Sequence, residues 1–208
     1  MIKSYRTEYP NHAHQLSVSV SKHYYLTKSG ILKYQKKKQE INLDNINNSE
    51  RIHIVHYVMR DHFSGLFYSE FVLSNKLIPI QEFLFRAWAE EKDYSFFGLP
   101  EMLTVPETVE KKFPTLKERI AMLGITVIKV SSGFQGGIRD IKTIEEYMKI
   151  WNGRPIERAK TEIKDLFQDL NSQKSRNGKD TKFALWRNNI ASITVPTVEW
   201  LDAFNSGK

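Results

Sequence analysis

The sequence predicts a mixed α/β domain: a sheet opened by three consecutive antiparallel strands, then helices and strands in alternation, then a helical tail. Three observations lead there. Apolar and polar residues alternate in "LSVSVSKHYYL", so Leu16, Val18 and Val20 face one way and Ser17, Ser19 and Ser21 the other. Two more runs rich in Val, Ile, Phe and Tyr, "RIHIVHYVM" and "LFYSEFVL", follow with only the turn "RDHFSG" between them. Beyond them the apolar spacing becomes helical, as in Ile80, Phe83, Leu84, Ala87 and Trp88.

The first strand begins near His14, "KSG" turns the chain, and "ILKY" starts a return strand. "KYQKKKQEINLDNINNSER" is polar and Asn-rich, which suits a long hairpin arm or exposed loop. After the antiparallel strands, "KLIPIQEFLFRAWAEEKD" reads as a helix and "GLPEMLTVP" as a short buried strand introduced by Gly98 and Pro100. "TVEKKFPTLKERIAMLGI" contains a second helix capped by Gly124, and "ITVIKVSS" is a further strand. "FQGGIRDIKTIEEYMKIWNGRP", residues 134–155, reads as a helix entered through a sharp turn at Gly136 and Gly137. Ile138, Ile141, Ile144, Met148 and Trp151 recur along it at helical spacing and form its apolar face. The order is βββ-α-β-α-β-α over residues 1–155. Residues 156–208 form a helical C-terminal extension: a charged helix, the breaker-rich linker "SQKSRNGKD", and two short helical pieces ending near Phe204.

Bulk properties narrow the function. The chain has 208 residues, 40% hydrophobic and 26% charged, enough for one sizeable core. No apolar run approaches the ~18 residues of a membrane span, and "MIKSYRTEYPNHAH" lacks the apolar core of a secretion signal. Zero cysteines exclude disulfides and thiolate zinc sites and suit a cytoplasmic setting. The net charge of +7 favours polyanionic partners such as DNA or RNA. Lys36, Lys37 and Lys38, beside Tyr34, together with Lys174 and Arg176 in the linker, are the candidate phosphate contacts. His12 and His14 have no third ligand clustered nearby, so no metal role is expected of them. Asp61 reads as a turn-forming acid, and Trp186 and Trp200 as anchors that dock the tail.

Four local phrases, in this order, resemble the catalytic core of the retroviral-integrase and DDE-transposase superfamily. "DHFSG" at residues 61–65 looks like that family's turn between its second and third strands, and "GLP" like its approach to the second catalytic aspartate. "LKERIAMLGITV" resembles its helix-then-Gly-Ile phrase, and "GGIRDIKTIEEYMKIWNGRP" its last core segment. The resemblance covers roughly residues 14–155 and implies an RNase H-like fold: a mixed five-stranded sheet, three antiparallel strands first, flanked by helices. It also implies polynucleotidyl transfer by three carboxylates that hold two divalent ions about 3.5–4 Å apart.

This chain departs from that pattern at all three positions. Ser17 stands where the first aspartate belongs, Pro106 where the second does, and Arg139 where the glutamate does. A one-residue shift would offer Asp140, but it breaks the apolar phase set by Ile138 and Ile141. A guanidinium about 5 Å from a dication, at an effective dielectric of about 20, is repelled by roughly 7 kcal/mol. The expectation is therefore a core with a degenerate acidic triad, no cofactor, and a role in nucleic-acid binding or in assembly of a mobile-element complex, as a homodimer or part of something larger. One alternative is an active enzyme that uses Mg²⁺ or Mn²⁺ with Glu107 and Asp140 as displaced acids. The other is a protein-interaction scaffold without DNA contact.

Overall fold

Strand β1 (Ala13–Leu26) is the spine of the sheet and pairs with three others. On one side β3 (Ile52–Asp61) runs antiparallel to it, with Gln15 opposite Arg60 and Ser17 opposite Val58, and β4 (Phe67–Leu73) runs antiparallel to β3. On the other side β5 (Met102–Val105) is parallel to β1 and β6 (Thr126–Lys129) is parallel to β5. The return strand β2 (Leu32–Tyr34) pairs with the far end of β1. It makes the sheet six-stranded, with five strands in the order β4-β3-β1-β5-β6. The computed structural model describes residues 7–90, 95–129 and 135–206.

Alternation along β1 feeds two cores, one on each face of the sheet. Leu16 and Val20 join the cluster under α1 (Ile80–Trp88), α2 (Glu107–Lys112) and α3 (Leu116–Met122). Tyr24 and Leu26 join the opposite cluster, with α4 (Gly136–Tyr147) and α5 (Ile156–Ser172). All four positions are even-numbered, so an unbroken strand would point them the same way. A register shift between Val20 and Tyr25 reverses the phase. Ser21 supports it, its Oγ accepting from the backbone of His23 at 3.3 Å and Tyr24 at 3.1 Å.

Several elements depart from the sequence expectation for local reasons. Helix α1 starts only after Pro79, and the end of that expected helix, residues 91–93, lies outside the described residues. So does the end of the expected strand over residues 125–132. The single helix expected across residues 108–123 is two short ones, parted at Phe113 and Pro114, because proline has no N–H to continue the ladder. Gly124, left-handed at φ 76°, follows α3 as the cap its position suggests. The linker after α5 is not loose. Lys174 bridges to Thr181, Ser175 N–H donates to Asp180 O at 2.8 Å, and Asn177 Oδ1 accepts from two backbone amides.

The C-terminal extension is built into both cores. Ile163, Phe167 and Leu170 of α5 pack with Ile141 and Ile144 of α4, and Asn171 pairs with both backbone groups of Phe67. Trp186 of α6 (Lys182–Asn189) is buried in the other core. Its Nε1–H donates to Asn11 Oδ1 at 3.2 Å, which also accepts from His14 Nε2 at 2.9 Å. His14 Nδ1 in turn accepts from Trp88 Nε1 at 3.1 Å, so the imidazole is neutral with its proton on Nε2. Burial pushes the His14 pKa down to about 3. The last helix, α7 (Val198–Ser206), lies against α1, with the ring of Trp200 at 6.0 Å from Phe85. Among the described residues no helix is long and apolar enough to cross a membrane.

Candidate functional site

Ser17, Pro106 and Arg139, the three positions singled out by the sequence resemblance, lie on β1, just after β5 and on α4. β1 and β5 are in parallel register, with His14 beside Leu103 and Gln15 beside Thr104. Two residues further along that register, Ser17 and Pro106 are level with each other. Pro106 precedes α2, and its carbonyl accepts from the Val109 and Glu110 amides at 2.9 and 3.0 Å. Ser17 points to the α4 face of the sheet.

The residue of α4 that meets Ser17 is Gly137. A Cβ there would fall inside the contact radius of Ser17 Oγ, and one at Gly136 would lie 2.8 Å from Gln15 Oε1. Both glycines are helical rather than left-handed. Their missing side chains allow helix backbone to rest directly on Ser17, Gln15 and Arg60. This corrects the turn expected at Gly136 and Gly137: the pair serves close approach.

Ile138 also differs from expectation. It is 46% exposed, while Gly137, Asp140, Ile141 and Ile144 form the inward face. The apolar phase used to place Arg139 therefore does not hold at Ile138. Arg139 is on the exposed side of α4, where its carbonyl accepts from Thr143 Oγ1 at 3.1 Å. Asp140, one turn beyond Gly137, is buried and ion-paired with Arg60 of β3. Lys182 of α6 lies over the Phe67 ring, 5.3 Å from its centroid. Its pKa is lowered mainly by burial, with Asp140 raising it and Arg60 lowering it. The Asp140 carboxylate is thus paired with Arg60 and interacts electrostatically with Lys182.

The other acids lie apart from this cluster. Glu107 is on the surface of α2, paired with Lys111 at 2.8 Å. Glu70 accepts from Arg86 through both its oxygens and from Tyr68. Asp61 accepts from the amides of Asn11 and Ser64 and from Ser64 Oγ, the hydrogen bonds of a turn. Among the described residues, no three His, Asp or Glu side chains gather closely enough to hold a metal ion. Lys36, Lys37, Lys38, Lys174 and Arg176 are all exposed, the first three beyond β2 and the last two in the turn after α5.

The sheet order and the helices on its two faces are those of known structures. The chain superposes on the HTLV-2 integrase catalytic core domain in complex with magnesium (trimeric form) with a TM-score of 0.51. The two share 16% identity over 87% of this chain and 99% of that one. This chain has an integrase catalytic-core fold. A chain of the simian T-cell lymphotropic virus intasome in complex with PP2A regulatory subunit B56 gamma superposes with a TM-score of 0.54 and 13% identity over 94% of this chain. The present chain spans 62% of the length of that intasome chain. No protein-family model matches the sequence, and neither does any curated protein.

Arg60, Lys182 and the packing role of Gly137 are the features of this site that sequence reasoning missed. Only "HYVMRD" held a signal, since an arginine at the end of an apolar strand needs a partner.

Proposed function

We propose that this chain is an integrase-core-like domain whose acidic site has been given over to packing. It acts by binding nucleic acid, or by assembly within a DNA integration or transposition complex. The observation that carries this reading is the contact of α4 with β1 at Gly137 and Ser17, beside an Asp140 already neutralised by Arg60. The integrase-core fold implies divalent ions, and the residues present do not fit them. Ser17 offers one neutral hydroxyl, Pro106 offers no side-chain ligand, and a dication entering beside Asp140 would meet a guanidinium at close range. The net charge of +7 and the exposed Lys36, Lys37, Lys38, Lys174 and Arg176 support contact with a phosphate backbone. The likeness to an intasome chain supports a place in a larger assembly.

Two measurements test this. Incubation with nicked and blunt DNA oligonucleotides in Mg²⁺ or Mn²⁺ should yield neither cleavage nor strand transfer. Cleavage abolished by Glu107→Gln or Asp140→Asn would replace this reading with that of an active enzyme. Duplex DNA should bind without sequence preference, and log Kobs should fall linearly with log salt. Absence of binding even at low salt would leave the protein-scaffold reading in its place.

A further inference from the structure

A cavity of about 380 Å³ lies between the outer side of α4 and the bulged half of β1. That volume is within the range of small-molecule sites, roughly 300–1,000 Å³. Its lining includes none of Ser17, Pro106, Arg60, Asp140 and Lys182. Lys22 and His23 of the lining lie within the register shift of β1, and β-bulges recur beside functional sites.

Its chemistry is of two kinds. Lys22, Lys38, Lys142 and Lys149 all line it, and among the described residues none of the four is in an ion pair. Two acids share the lining, Glu146 and Glu145, the latter turned inward to His56 at 3.4 Å, so four cations face two carboxylates. The second kind is flat and apolar. Tyr34 is 36% exposed and stacks on His23, with centroids 5.6 Å apart and planes 24° apart. Ile138, exposed on α4, forms part of the opposite wall.

The rings are held in place. His23 Nδ1–H donates to the Gln35 carbonyl at 3.0 Å, leaving Nε2 as a further polar group, and the Tyr34 amide donates to Asn152 Oδ1 at 2.9 Å. Tyr24 closes the back and is fixed to α4 by its hydroxyl, which donates to the Glu145 carbonyl at 2.8 Å.

We infer that this cavity binds a phosphorylated planar aromatic ligand, that is, a nucleotide, with its base against Tyr34 and Ile138 and its phosphate among the four lysines. The source is either a free nucleotide or the phosphorylated end of a strand. This inference shares only Lys38 with the backbone binding proposed above and goes beyond it.

Calorimetric titration with AMP, adenosine, inorganic phosphate and a 5′-phosphorylated hexanucleotide tests it. AMP should bind saturably, with adenosine and phosphate each at least about tenfold weaker, because each makes only half of the contacts. Lys142→Glu should weaken AMP by about tenfold or more, and Tyr34→Leu should weaken AMP by a similar factor while leaving phosphate unchanged. A hexanucleotide tighter than AMP assigns the site to strand ends, and the reverse order assigns it to free nucleotide. No saturable binding of AMP or the hexanucleotide up to about 5 mM, or binding that neither variant weakens, would overturn the inference. If Tyr34→Leu fails to fold, Lys142→Glu alone decides, since its side chain is on the surface. Loss of duplex binding with AMP binding intact would remove the proposed function and leave this site standing. The opposite pattern would remove only this site.

Discussion

The buried pair of Arg60 and Asp140 is the most direct test of the proposed loss of an acidic site. Each side chain is 11% exposed, so neither charge is well solvated. Opposite charges about 4 Å apart attract by roughly 4 kcal/mol at an effective dielectric of about 20. Removing one partner strands the other, which costs about 3–5 kcal/mol. Arg60→Met alone and Asp140→Leu alone should each lose that much in urea unfolding, a large part of a domain's usual ~5–15 kcal/mol. The double variant should return close to the parent, because both desolvation penalties disappear with the charges. Arg60→Gln supplies the functional arm. It removes the cation while keeping a polar side chain, and 5 mM Mn²⁺, about a hundredfold over a 50 µM site, would restore roughly 2.7 kcal/mol if one existed. The expected result is no change in midpoint with metal, since one carboxylate and one hydroxyl do not make a divalent site. A loss below about 1 kcal/mol in the single variants would mean that the pair is not ordered in solution. Recovery of Arg60→Gln by Mn²⁺ would refute the argument that the site cannot take a dication.

Three further outcomes are expected. Gly137→Ala should destabilise by about 1–3 kcal/mol through overpacking on Ser17, and Ser17→Gly should suppress much of that loss; independent effects in the double variant would count against the contact. His14 has a folded-state pKa of about 3 against 6.5 in the unfolded chain, so the unfolded state takes up the proton first. Its contribution is complete above pH 6.5 and is lost as pH falls toward 3, at about 1.4 kcal/mol per pH unit; His14→Gln should flatten that slope, and equal slopes in both proteins would contradict it. Reversing the charge at Lys36, Lys37 and Lys38 should weaken duplex DNA binding and reduce the slope of log Kobs against log salt by about 0.9 per lost contact; an unchanged slope would move the interface elsewhere.

Much of the architecture could be read from periodicity, because strand and helix impose different spacings on the same demand for burial. The alternation at Leu16, Val18 and Val20 and the helical stripe at Ile80, Phe83, Leu84, Ala87 and Trp88 both reappear in the cores. What periodicity could not carry was the bulge. Val20 and Tyr24 keep the even-numbered phase while facing opposite cores, and the feature that reverses them is a serine oxygen holding two amides. Nothing in the local pattern of "SVSKHYYL" separates that from an unbroken strand. The cavity was hidden because Lys22, His23, Tyr34, Lys142 and Lys149 come from three segments that meet only in the folded chain.

The candidate site was half legible, and the other half turned on what a glycine is for. In sequence "GGIRD" reads as a sharp turn before an apolar stripe, which places Ile138 inside and Arg139 at the site. A glycine is required equally where φ must be positive and where another chain comes too close for a Cβ. The two demands leave the same mark in a sequence, and only the backbone separates them. Here Gly136 and Gly137 are helical and covered by Arg60, Gln15 and Ser17, so the second demand is the operative one. A helix seated that low must rotate its glycine face toward the sheet. Ile138 is then carried outward into the cavity wall, and Asp140, three residues on from Gly137, inward onto Arg60. The exposed isoleucine, the buried acid and the close seating of α4 on Ser17 are thus consequences of one packing choice. A Cβ at Gly137 would disturb all three together.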